Sequence, residues 1–72
     1  MYIICYARTL NILTLVSDKD VIVIEGLPAD MRGLCARLHD TACAESHALD
    51  IAWQAKNANA RVSVCTLPDE GN

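Results

Sequence analysis

The chain has 72 residues, 53% of them hydrophobic and 21% charged, and six Lys and Arg against nine Asp and Glu leave a net charge of −3. This composition excludes a disordered tail, and the length allows one small domain that buries only about 60% of its unfolded surface. The longest stretch without a charged residue, Thr9 to Ser17, is less than half the ~20 apolar residues of a membrane span, so no membrane partner is expected.

Tyr2 to Ala7 is a compact apolar run that reads as a strand, and Leu10 to Val16 continues in the same style. Arg8 and Thr9 between them include no Gly or Pro, so one long bent strand is as compatible as two. The opening residues also carry no basic leader, which points to a cytoplasmic protein. Ser17 to Asp20 is a polar interruption suited to a hairpin loop. The four consecutive β-branched residues Val21 to Ile24 form the next strand. Gly26-Leu27-Pro28 closes it and opens a helix, with Pro28 at the start and Asp30 in the first turn.

From Pro28 to about Asn57 the pattern is helical. At ~100° per residue, Met31, Leu34, Cys35, Leu38, Ala42, Leu49, Ala52 and Trp53 share one stripe, the expected core face. Thirty residues in one helix would extend ~45 Å and overhang the sheet, and Asp40-Thr41 is the best place for a break. Arg61 to Leu67 supplies a last strand, before a tail at 68–72 that predicts fraying.

The expectation is an α+β domain over residues 1–67, with an antiparallel or mixed sheet of three or four strands. One long or two consecutive helices form the second layer, in the order ββ(β)α(α)β. Such a domain leaves a mismatch. Strands 2–7 and 21–24 are apolar at consecutive positions, as if covered on both faces, yet one helical layer covers one. A second apolar stripe, Ala44, Ala48, Ile51 and Ala55, is the expected protein interface, with a homodimer as the favoured assembly.

Direct nucleic-acid binding is not expected, because Arg8, Arg32, Arg37, Lys56 and Arg61 are scattered over an acidic chain. Catalysis is not expected either: no Gly-rich phosphate loop, Cys-x-x-Cys motif or Ser-His-Asp arrangement is present. No cofactor or metal is assigned. In a reducing compartment Cys5, Cys35, Cys43 and Cys65 read as free thiols, with Cys5 and Cys65 on strands that could be neighbours.

Two functions of different class follow. The first is a small non-enzymatic protein-binding module, of the kind that phage and mobile elements use against host complexes, anti-CRISPR inhibitors included. The alternative is a metal- or thiol-sensing regulator built on Cys35, His39, Cys43 and His47, spaced by four along the helical region. Under the first reading, His39→Ala and His47→Ala should do little, Leu38→Ala should unfold or strongly destabilise the domain, and Ile51→Glu should leave a folded monomer.

Overall fold

A computed structural model describes residues 1–68. The elements run β1 (Tyr2–Ala7), β2 (Ile12–Val16), β3 (Asp20–Glu25), α1 (Ala29–Leu38), β4 (Ala42–Cys43), α2 (Glu45–Asn57) and β5 (Arg61–Thr66). The fold is α+β, as the sequence predicts, but with five strands, all antiparallel, in the order β4-β1-β2-β3-β5. The additional strand is β4, two residues between the helices, too short to carry a periodicity of its own.

Local chemistry accounts for the boundaries. The turn between β1 and β2 contains no Gly, and Asn11 takes the left-handed conformation instead, with φ 52°. Its side chain fixes the turn, accepting from Tyr6 Oη at 2.8 Å and donating to the Leu27 carbonyl at 3.1 Å. At the β2–β3 hairpin, Ser17 Oγ accepts the amides of Lys19 and Asp20 and donates to Asp20 Oδ1 at 2.8 Å. That arrangement is the local side-chain substitute for a turn that Ser and Asp favour.

The helical region is broken, as its length required. The break spans 39–44, with Asp40 left-handed at φ 69° and Thr41 donating through its amide and hydroxyl to the Leu38 carbonyl. Asp40-Thr41 does not cap the second helix; Ala44 occupies that position without a side-chain hydrogen bond. At its far end α2 closes in a Schellman motif. Asn59 is left-handed, Ala60 N–H donates to the Ala55 carbonyl and Asn59 N–H to that of Lys56, both at 3.0 Å.

The core lies between the helices and one face of the sheet. Ile4, Leu13, Leu15, Ile22 and Ile24 project from the strands, and Leu27 and Cys35 close over them. α1 packs on β1, and α2 packs on β3 and β5. The face that α2 turns to the sheet is Ala48, Ile51 and Ala55, with Ala52 partly covered beside them.

This corrects the expected core stripe. Cys35 is buried and Met31, Leu38 and Ala52 pack against the core, but Leu34, Leu49 and Trp53 are exposed, as is Ala42 on β4. The 100° step applies only within a continuous helix, and the six residues at 39–44 reset the angular phase. The fraying expected of the tail concerns residues 69–72, outside the described residues; Pro68 is described and exposed.

Candidate protein interface

Of the four residues expected to meet a partner, Ala48, Ile51 and Ala55 are core residues of this chain. Their small side chains do admit another backbone closely, but that backbone is the chain's own sheet. Ala44 alone is exposed, at the N-terminal end of α2.

The uncovered apolar surface is on the sheet. Side chains directly opposite in antiparallel pairs share a face. One row therefore runs Ala42, Ile3, Val16, Val21, Cys65 across all five strands on the side opposite the helices. A second runs Cys5, Thr14, Val23, Ser63, and a third Ala7, Ile12, Glu25, Arg61. Among the described residues no helix lies on this face, and its one cross-strand charge pair, Glu25 beside Arg61, stands at one end. Ile3 is 40% exposed, while Ile12, Val16, Val21 and Val23 are half-buried by one another. The apolar run that looked two-faced in sequence is thus helix-covered on one side and open on the other.

Beside this face, at the β1–β2 end, an open apolar hollow of about 250 Å³ is lined by Cys5, Ala7, Leu10, Ile12 and His39, among others. His39 Nδ1 accepts the amide of Tyr6 at 3.0 Å.

The helix ladder is dispersed. Cys35 is buried in α1, His39 follows that helix, Cys43 lies on β4, and His47 is exposed in the first turn of α2. Among the described residues, no group of three or more His, Cys, Asp or Glu side chains is placed to hold a metal ion. All four cysteines are free, and burial pushes the thiols of Cys35 and Cys43 up. Cys5 and Cys65 share the open face but are not neighbours: β2 and β3 stand between their strands, about 14 Å in all.

At the opposite end of the sheet, Tyr2 Oη donates to Asp20 Oδ1 at 2.7 Å. This bond, with that from Ser17, holds the Asp20 carboxyl below its ordinary range and is the main reason the Tyr2 phenol is raised. Lys19 pairs with Glu45 at 3.1 Å between two exposed side chains, which contributes little to stability.

No protein-family model matches this chain, and no curated protein and no solved structure matches it.

Proposed function

We propose that this chain is a small non-enzymatic protein-binding module that acts through its surface and self-associates. One observation carries the reading. An antiparallel sheet with one solvated face ordinarily alternates apolar and polar residues, and here the outward positions include Ile3, Ile12, Val16, Val21 and Val23 beside Thr14, Ser63, Glu25 and Arg61. The four longer strands at ~4.8 Å by five or six residues at ~3.3 Å make a mostly apolar face on the order of 350 Å², the size range of the largest patches on monomers, which are often interaction sites. Inhibition of a host complex, by a phage or mobile-element product of the anti-CRISPR kind, is one use of such a module.

The sensor reading has less support, because the four Cys and His residues sit on separate elements and form no donor cluster among the described residues.

The test uses Val21→Glu, which puts a carboxylate in the apolar Ile3, Val16, Val21 row of the open face and leaves the helix-side core untouched. Wild-type chain and Val21→Glu serve as baits in extract of the producing organism. Proteins retained by the wild type and lost by the folded variant support the reading. Identical captures from both baits sink the open face as the binding surface.

A further inference from the structure

The two edges of the sheet are treated differently. In β1 the backbone groups that face away from β2 belong to Tyr2, Ile4 and Tyr6. Tyr2 pairs with β4, Ile4 exchanges bonds with Asp40 N–H and the Thr41 carbonyl, and Tyr6 N–H is taken by His39. That edge is covered, as exposed edges normally must be to prevent strand addition.

β5 is the other edge, and among the described residues its only strand neighbour is β3. Leu67 N–H donates to the Lys19 carbonyl at 2.8 Å, which sets the phase of the ladder. Hydrogen-bonded pairs in an antiparallel ladder recur every second residue, so Cys65, Ser63 and Arg61 bond to Val21, Val23 and Glu25. Val62, Val64 and Thr66 therefore turn their N–H and C=O groups away from β3. Among the described residues nothing receives them. No Pro or inward charge interrupts the strand.

A second observation lies on the same side of the molecule. Val64 pairs with the core residue Ile22, so it faces the helical layer, yet it is 62% exposed. Leu49 and Trp53, one turn apart on α2, are 52% and 63% exposed. The other flank of α2 carries Gln54, which meets Pro28, Asp30 and Met31 of the α1 region across a cleft. Leu49 hence lies on the flank away from α1, on the β5 side, while Trp53, about 165° round from the buried face, points away from the sheet.

The geometry points to β5 as the dimerisation strand: two copies pair their β5 strands antiparallel and extend the sheet from five strands to ten. The inference rests on the reading of the chain as a self-associating binding module, and it names the partner as a second copy. Water hydrates the outward groups of Val62, Val64 and Thr66 one by one, whereas an extended strand takes all of them in register. A two-fold axis relating adjacent antiparallel strands is perpendicular to the sheet, so both helical layers lie on one side and the Leu49 flanks of the two α2 helices approach each other above the junction. A foreign peptide would satisfy the backbone and leave that flank uncovered.

The register follows from the same phase. Val64 opposite Val64 of the second copy, with each Val62 opposite Thr66, makes six backbone hydrogen bonds. Each Arg61 then faces Leu67, and no like charges oppose. Ser63 lies opposite Cys65 of the second copy in a non-hydrogen-bonded pair, at a Cα separation of about 4.5 Å. On the opposite side of the ten strands, the two open apolar faces become one continuous platform.

The test is Val64→Pro, read by light scattering over a range of protein concentrations. Proline removes an N–H that the bond to β3 does not use, so the circular dichroism spectrum should stay native. The wild type is expected at twice 7.8 kDa, with the dissociation constant raised at least ~100-fold in the variant. A wild type that stays monomeric at millimolar concentration overturns the proposal, and so does a folded Val64→Pro that stays dimeric. A dimer lost in Val21→Glu but kept in Val64→Pro overturns edge pairing and leaves the open-face reading standing. If Val64→Pro fails to fold, Ser63→Cys decides. Oxidised glutathione accepts the two electrons and two protons, and mass spectrometry should find the bond between positions 63 and 65 of different chains. Absence of that cross-link overturns the register and the proposal with it.

Discussion

His39 Nδ1 accepts the backbone N–H of Tyr6 at 3.0 Å, so an imidazole from the loop after α1 stands where a further strand would pair with β1. The side chain acts here as a structural acceptor at the sheet edge. His39→Ala should therefore cost about 1 kcal/mol, the net worth of a typical hydrogen bond, whereas the sequence expectation was little effect. His47, exposed in the first turn of α2, should tolerate Ala within about 0.5 kcal/mol. Urea denaturation of the two variants side by side checks this, and equal midpoints would remove the edge role of His39.

The two apolar flanks of α2 exchange the roles expected of them. Ile51 is 4% exposed, so Ile51→Glu buries a carboxylate without a partner and should abolish cooperative unfolding. Trp53→Ala should leave stability within about 1 kcal/mol, because its ring lies mostly in solvent. Thermal melts followed by circular dichroism distinguish the pair. A cooperative transition for Ile51→Glu near the wild-type temperature would contradict the placement of α2.

The Tyr2–Asp20 bond gives stability a defined pH dependence. A carboxyl held lower in the folded than in the unfolded chain contributes stability above its unfolded value, and the contribution is lost as pH falls through the folded value. Melting temperature should thus fall below about pH 4. The Tyr2 phenol is raised, so its contribution is present below about pH 10 and disappears as pH rises through the folded value. Tyr2→Phe should flatten both limbs. A variant with the wild-type acid limb would assign that limb to other carboxyls.

Thiol reactivity should follow position in the fold. Cys65, exposed on β5, should react first with an aromatic disulfide reagent. Cys35 is covered by the core and its thiol is raised by burial, so it should react only on unfolding. Cys5 and Cys43 should fall between. Titration in the native state and in guanidinium measures the order, and early reaction of Cys35 would mean that α1 does not close over the sheet as described.

Much of the architecture is legible in local chemistry. Val21 to Ile24 is a strand because β-branched residues fit the pleat, and Ser17 to Asp20 is a hairpin because its hydroxyl and carboxylate replace backbone partners. The length of the helical region demanded an interruption, and Asp40 supplies one by adopting a left-handed conformation open to Asp and Asn. Between β1 and β2 the sequence leaves one bent strand and two strands equally open, because the turn contains no Gly and Asn11 takes the left-handed conformation there.

By itself the sequence determined the α+β class, the positions of its longer elements and the excess of apolar surface over what one helical layer covers. Those properties follow from contacts between near neighbours in the chain, whose geometry repeats within a turn or along a strand. Only the tertiary structure decided where the excess lies. The break at 39–44 uncouples the phase of α2 from that of α1, so Ala48, Ile51 and Ala55 became core and Leu49 and Trp53 became surface. Strand order likewise separates Cys5 from Cys65, covers the edge of β1 and leaves that of β5 open. Such relations join residues as far apart as Lys19 and Leu67, and no periodicity in a single segment encodes which strand becomes its neighbour.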